Sequence, residues 1–200
     1  MGLKHSYTLL APLYDTVVER ASQEARRRSL ERLRPGLQRV LLPGVGSGLD
    51  IPWLPRGSHY AALDLTPAML ERAGRRAQEA GLEMELEVGD AGQLPYQDHS
   101  FDGVVLHLIL AVVPHPHQVL RETARVLRPG GQVLVLDKFL RPGQKAPLRR
   151  LVSPLLGRIA TRTDVVLEEL LSHTPSLRVV DDRPALARGW FRQVELEKEA

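Results

Sequence analysis

Three glycines at alternate positions, Gly44, Gly46 and Gly48, close the apolar run Val40-Leu41-Leu42-Pro43 and lead into Leu49-Asp50. A buried strand that ends in such a turn lets backbone N–H groups and a following helix start approach a ligand closely. The spacing is G-x-G-x-G. A dinucleotide fingerprint, G-x-G-x-x-G, would put glycine at position 49, where the chain has Leu49, so nicotinamide-linked oxidoreduction is disfavoured. About twenty residues further on, the run His59–Leu63 ends in Asp64, at the place where such folds bind ribose hydroxyls. A second acid, Asp90, follows the alternating stretch Glu83–Val88 within Gly89-Asp90-Ala91. Each acid also has a plain reading, helix cap or turn for Asp64 and turn residue for Asp90. His107 stands where the run Phe101–Leu106 ends and could orient an acceptor or take its proton, or be a hydrogen-bonded structural histidine. His115 and His117 flank Pro116 in a turn and read as solvated.

Alternating elements must position these residues. A helix is expected over 7–34, stopped by Pro35-Gly36, with Tyr7 and Tyr14 packing on the sheet or covering a ligand as a lid. Strands follow at Gln38–Leu42, His59–Leu63 and Glu83–Val88. Between the last two lies a helix from Pro67 to about Ala80, with Thr66 as N-cap and Gly81 as stop. Phe101–Leu106 is apolar throughout, as in the centre of a parallel sheet. A helix is expected over His117–Leu127, and Pro129-Gly130-Gly131 introduces a strand at Gln132–Asp137. Asp164–Ser172 reads as helix. Leu177–Asp181 and Trp190–Glu197, joined through Arg183-Pro184 and Arg188-Gly189, read as a closing antiparallel pair. This alternation predicts a doubly wound α/β fold in a single domain.

Composition narrows the chemistry. There is no cysteine, which excludes disulfides, Cys–zinc sites and thiol nucleophiles; no metal site is expected. Aromatics make up only 4% of the chain, so the core must be built from Leu, Val and Ala. The net charge is +3, and only Lys4, Lys138, Lys145 and Lys198 are lysines, so the basic charge is nearly all guanidinium. No stretch reaches the ~20 apolar residues that span a bilayer. Lys4, His5, Asp15 and Glu19 break any secretory h-region, and the expected location is cytoplasmic. From 138 to 163 the chain carries Lys138, Arg141, Lys145, Arg149, Arg150, Arg158 and Arg162 with no acid, and Leu148, Leu151, Val152, Leu155, Leu156 and Ile159 recur at helical spacing. That pattern reads first as a helix docked on its own core; the alternative is a helix lying on an anionic membrane or over an anionic substrate.

The glycine loop, Asp64, Gly89-Asp90-Ala91 and Leu127-Arg128-Pro129-Gly130-Gly131 occur in an order that resembles the class I S-adenosylmethionine-dependent methyltransferases. The resemblance covers nearly the whole chain. It implies a Rossmann-like seven-stranded sheet with an antiparallel C-terminal strand pair, and S-adenosyl-L-methionine as cofactor. Gly44, Val45, Gly46 and Gly48 would cradle the methionine portion, Asp64 with Leu65 the ribose side, and Asp90 with Ala91 the adenine; Tyr14 and His107 would complete the cofactor site, and His107 is the catalytic candidate. The family usually has Asp or Glu two residues before the first glycine. Here that residue is Leu42, so either the cationic end of the cofactor is compensated elsewhere, with Asp50 as a substitute unless it is merely a cap, or affinity falls.

Within the family, Val45-Gly46-Ser47-Gly48-Leu49-Asp50-Ile51-Pro52 and His107-Leu108-Ile109-Leu110-Ala111-Val112-Val113-Pro114 look like bacterial phosphatidylethanolamine N-methyltransferases. The broader pattern is similar to quinone-biosynthesis C-methyltransferases. The resemblance implies one methyltransferase domain over 1–200, with an N-terminal helical lid at 1–34 and a basic helical insertion at 138–173. The acceptor would be a small molecule or a lipid head group, and the basic segment would then meet an anionic membrane peripherally. A non-catalytic cofactor- or lipid-binding domain is the other class. Nucleic acid is disfavoured, because the basic charge lacks interleaved aromatics.

Overall fold

A computed structural model describes residues 22–141, 165–186 and 189–200. Seven strands, β1 (Arg39–Pro43), β2 (His59–Asp64), β3 (Met84–Val88), β4 (Phe101–His107), β5 (Leu127–Lys138), β6 (Leu177–Leu186) and β7 (Phe191–Lys198), form one sheet in the order β3-β2-β1-β4-β5-β7-β6. The first five pair in parallel, while β7 lies antiparallel between β5 and β6. Only a few residues link β6 to β7, too few for the crossover that parallel strands need. Among the described residues the helices are α1 over 22–30, α2 (Pro67–Ala80), α3 (Pro116–Val126) and α4 (Leu167–Ser172), with a 3-10 turn at Ile51–Trp53.

Alternation along the strands separates two cores. Leu41, Leu63, Val104, Leu106, Val133 and Val135 face one side, with Val119 and Leu120 of α3 in the same cluster. Val40, Leu42, Tyr60, Ala62, Val105 and Leu134 face the other, with Leu30 of α1 and Leu70 and Ala73 of α2. A period of two on strands covered on both faces produces this arrangement. Aliphatic side chains dominate both clusters, as the scarcity of aromatics requires.

Several expected boundaries move. The first helix ends at residue 30 rather than 34, and its last turn tightens through Arg32 N–H to the Ser29 carbonyl and Leu33 N–H to the Leu30 carbonyl. Gln132 then takes the chain, accepting from the Arg34 amide and donating to the Arg32 carbonyl. Residues 7–21 of that helix, with Tyr7 and Tyr14, lie outside the described residues. Strand β5 starts at Leu127, not Gln132, because Leu127 pairs with Phe101 before the register shifts toward Gly103. Strand β6 runs on through Arg183-Pro184, which had been expected to join the two strands. A proline without an amide donor is tolerated there because β6 is the sheet edge. Thr66 occupies the N-cap of α2 without a side-chain cap bond. The fourth helix begins at Leu167, after Val166 has bridged to Leu140. Of the basic segment at 138–163, residues 142–163 lie outside the described residues, while Lys138 ends β5.

The strand order reverses between β1 and β4. Open α/β sheets bind ligands at such a switch point, beyond the carboxyl ends of the strands. The glycine loop leaves β1 there, and His107 ends β4 beside it.

Candidate functional site

All three loop glycines are left-handed, with φ of 66° at Gly44, 56° at Gly46 and 85° at Gly48. Their surroundings differ. A Cβ on Gly48 would stand 2.9 Å from the Ala73 Cα of α2, so this glycine lets loop and helix pack closely. A Cβ on Gly44 would stand 2.2 Å from Ile109 Cδ1. Beside Gly46 no atom of the described residues lies within 4 Å, so among them this stretch of bare backbone is uncovered. Val45 is buried and its amide donates to the Leu63 carbonyl, extending the β1–β2 pairing beyond the strand ends.

Asp64 faces this loop. One carboxylate oxygen accepts the Gly46 amide at 2.9 Å and the other the Thr66 amide at 2.9 Å. A carboxylate has about four lone-pair positions, so acceptor capacity remains for a diol. Burial raises its pKa above the ordinary value, against these amides, which favour the charged form. Next to it, Leu65 is 59% exposed, and Val88, the register partner of Asp64 on β3, is 57% exposed. Asp90 is exposed and closes an Asx turn, accepting the Gly92 amide at 2.7 Å, while Ala91 is buried.

His107 is in a different setting. The ring is buried; Nδ1–H donates to Asp50 Oδ1 at 2.7 Å, and Nε2 lies 3.0 Å from the Ser29 hydroxyl. An ionised carboxylate only accepts, which places a proton on Nδ1, while Nε2 faces the Ser29 hydroxyl, a group that can both donate and accept. Neither nitrogen is free in this arrangement. The geometry thus favours the structural reading of His107 over proton transfer. Asp50 is corrected too. It is buried, makes no cap bond, and pairs through Oδ2 with Arg26 Nη1 at 2.7 Å. Burial would raise its pKa, but Arg26 and His107 outweigh that and hold it well below the carboxylate range. Its charge is already matched, so it is no spare anion for a cationic ligand. Leu42 is buried in the same cluster as Leu30, Ile51 and Val105.

A model of the family described as "Methyltransferase domain" matches residues 41–135, which hold the whole of this crevice. Phosphatidylethanolamine N-methyltransferase of Cereibacter sphaeroides is 32% identical over 189 residues, covering 93% of each chain. The chain belongs to the class I S-adenosylmethionine-dependent methyltransferases. A ubiquinone/menaquinone biosynthesis C-methyltransferase, UbiE of Roseobacter denitrificans, is 33% identical over 66% of this methyltransferase and 54% of its own length.

Solved structures agree on the fold of this methyltransferase. The [4+2]-cyclase SpnF superposes with a TM-score of 0.77 at 19% identity, over 98% of this chain and 95% of its own. Geranyl diphosphate C-methyltransferase of Streptomyces coelicolor A3(2), solved with S-adenosyl-L-homocysteine, gives 0.69 at 16% identity, over 90% and 76%. Since a cyclase shares the architecture, the architecture alone does not assign a reaction. Among the described residues the crevice does suit a nucleoside: uncovered backbone beside Gly46, acceptor capacity on Asp64 beyond its two amides, and exposed apolar surface at Leu65 and Val88.

Sequence reasoning missed Arg26, Ser29 and Asp137. Asp137 ends β5 and is buried, accepting the Ala111 amide at 3.1 Å and the Lys138 amide at 2.8 Å. Burial pushes its pKa up to about 6. A signal was present: the run Val133–Leu136 ends in an acid as His59–Leu63 does.

Proposed function

We propose that the protein transfers the methyl group of S-adenosylmethionine to the amine of a lipid head group, with phosphatidylethanolamine as the acceptor. The carrying observation is similarity to the Cereibacter sphaeroides phosphatidylethanolamine N-methyltransferase over 93% of both chains. The likeness to UbiE spans 54% of that protein, which leaves quinone-precursor C-methylation as the second choice.

In this reading the Gly46 amide and the backbone of Gly44, Val45 and Gly48 receive the methionine portion. Asp64 accepts the ribose hydroxyls, a geometry suited to a diol because two oxygens meet two neighbouring donors. Leu65 and Val88 cover the faces of the base, with Asp90 and the Ala91 amide at its edge. The bound cofactor supplies a methyl group on a positively charged sulfur, which departs as a neutral thioether. The protein's task is then alignment and exclusion of water rather than strong acid–base chemistry. That suits a strand-end histidine whose nitrogens are both committed. A lipid acceptor also gives the basic segment at 138–163 a use, by attraction to anionic lipid.

The test is transfer of labelled methyl from S-adenosylmethionine to three acceptors: vesicles containing phosphatidylethanolamine, soluble ethanolamine, and a hydroxylated aromatic quinone precursor. Label in methylated phospholipid supports the proposal. Label only in the aromatic product replaces it with C-methylation. Cofactor occupancy with no product from any acceptor marks a binding domain. Pelleting with anionic vesicles, lost in high salt, is expected alongside.

A further inference from the structure

Next to the cofactor crevice lies a second set of buried polar side chains, drawn from three elements. Arg26 and Ser29 come from α1, Asp50 from the loop just beyond Gly48, and His107 from the end of β4. Arg26 Nη1 donates to Asp50 Oδ2 at 2.7 Å and its Nε donates to the Ser22 hydroxyl at 3.0 Å. Asp50 Oδ1 accepts His107 Nδ1–H at 2.7 Å, and His107 Nε2 lies 3.0 Å from Ser29 Oγ. Ser22, Arg26, Ser29, Asp50 and His107 are all buried.

Such an arrangement is a poor way to gain stability. Desolvating an ion pair costs about as much as the pairing returns, and well-packed apolar residues often do better. Helix α1 already has an apolar anchor, since its Leu30, with Leu33 just beyond its end, lies in one cluster with Val40 and Leu42. Apolar contacts are non-directional, whereas a hydrogen bond holds its partners to a narrow range of distance and angle. Placement is what the polar set adds.

Both ends of the glycine loop come under this constraint. At the exit, Asp50 is held directly. At the entrance the path runs through His107. The next residue, Leu108, sits at φ 58°, a left-handed conformation that costs energy for a side chain of this kind. Ile109 follows, and its Cδ1 fills the space where a Gly44 side chain would begin. A shift of His107 would therefore move Ile109 against Gly44. Between the two gripped ends lies Gly46, with no other described residue against it and its amide aimed at Asp64.

We infer that Arg26, Asp50 and His107 form a positioning relay through which the docking of α1 sets cofactor affinity. The relay rests on the assignment of the Gly46–Asp64 crevice as the cofactor site. Arg26 orients Asp50, Asp50 orients His107, and the glycine loop is fixed from both sides. None of the three touches the reacting atoms.

The experiment measures S-adenosyl-L-homocysteine binding by calorimetry to the full chain and to Arg26→Gln, Asp50→Asn, His107→Gln and the double variant Arg26→Gln/Asp50→Asn. Thermal unfolding is followed in parallel. Each single variant is expected to lose about tenfold or more in affinity while still folded at the assay temperature. The double variant, with a neutral hydrogen-bonded pair in place of two charges, is expected to recover most of that loss. In turnover, the KM for the cofactor should rise with little change in kcat. Should the Gln and Asn variants fail to fold, Arg26→Lys keeps the charge and discards the planar fork, and the same loss of affinity is expected of it. Variants that melt lower but bind as the wild type does would overturn the relay and leave the network merely structural. A wild type that does not bind S-adenosyl-L-homocysteine would overturn the cofactor site itself, and the relay with it.

Discussion

The Asp64 carboxylate accepts the Gly46 amide at 2.9 Å, joining the strand-end acid to the one glycine of the loop that no other described residue crowds. The acid that would take the ribose hydroxyls thus also sets the direction of the loop that would take the methionine portion. A second amide, from Thr66, holds its other oxygen at the entry to α2. Strand β2, the loop and the helix start meet on a single side chain.

Asp64→Ala is accordingly expected to weaken S-adenosyl-L-homocysteine binding at least tenfold, about 1.4 kcal/mol. Asp64→Asn keeps one acceptor but turns an NH2 group toward one of the two amides, and should weaken binding as well. Because burial raises the Asp64 pKa, affinity should fall on acidification sooner than with an ordinary aspartate. Calorimetry across a descending pH series measures both effects. Affinity unchanged in Asp64→Ala would remove the carboxylate from the site.

Gly46→Ala and Gly48→Ala should separate function from folding. Both positions have positive φ, so each alanine carries roughly 1 kcal/mol of backbone strain. At Gly48 the new methyl would also meet the Ala73 Cα at 2.9 Å and Ile51 Cδ1 at 2.6 Å, and relieving that overlap typically costs about 1–3 kcal/mol more. At Gly46 it would meet none of the described residues and would enter the space where the cofactor is proposed to lie. Gly48→Ala should show mainly in the urea midpoint, and Gly46→Ala mainly in cofactor affinity. The reverse pattern would misplace the crevice.

The features legible in the sequence are those written in local spacing. Gly44, Gly46, Gly48 and Asp64 could be read because a turn and a strand end are encoded by adjacent residues, and parallel strands buried on both faces give continuous apolar runs. Arg26, Asp50, His107 and Ser29 could not be assembled in this way. Their partners stand 24, 57 and 78 positions apart, and locally Asp50 before Ile51-Pro52 resembles a cap. Pro184 looked like a break because nothing nearby marks β6 as the sheet edge. Leu127 looked like the end of a helix because its partner, Phe101, lies on another strand.

Asp137 supplies a pH signature. Its pKa rises to about 6 in the folded chain, from 3.8 ordinarily, so the folded state holds the extra proton between those values. Stability from this group is then present below about pH 4 and lost as pH rises toward 6, on the order of 2–3 kcal/mol in all. Other carboxylates run the opposite way: Arg125 holds Glu122 low, and the Arg39 amide and Arg128 hold Asp102 low against burial. The observable is therefore the difference between wild type and Asp137→Asn across pH 4–7. Asn has one acceptor for two amides, so the variant should be weaker at low pH and close part of the gap by pH 7. A difference constant with pH would show that Asp137 titrates normally.

Leu42 carries the last prediction. It replaces the acid usual in the family, and it is packed among Leu30, Val40, Ile51 and Val105. Restoring the acid as Leu42→Glu would put a carboxylate into that apolar cluster, and Arg26, the buried cation of α1, is already committed to Asp50. An unpaired buried charge of this kind costs about 3 kcal/mol or more, or is neutralised by a raised pKa. Leu42→Met, which keeps the volume and adds no charge, should cost less than about 1.5 kcal/mol. Urea unfolding of the two variants makes the comparison. If Leu42→Glu lost under about 1 kcal/mol, water or a free cation would have to reach this position, and the chain would still have a place for the acid it lacks. A large loss would mean instead that the apolar packing beneath the glycine loop and the Arg26–Asp50 pair beside it form one arrangement, in which a second acid has no partner.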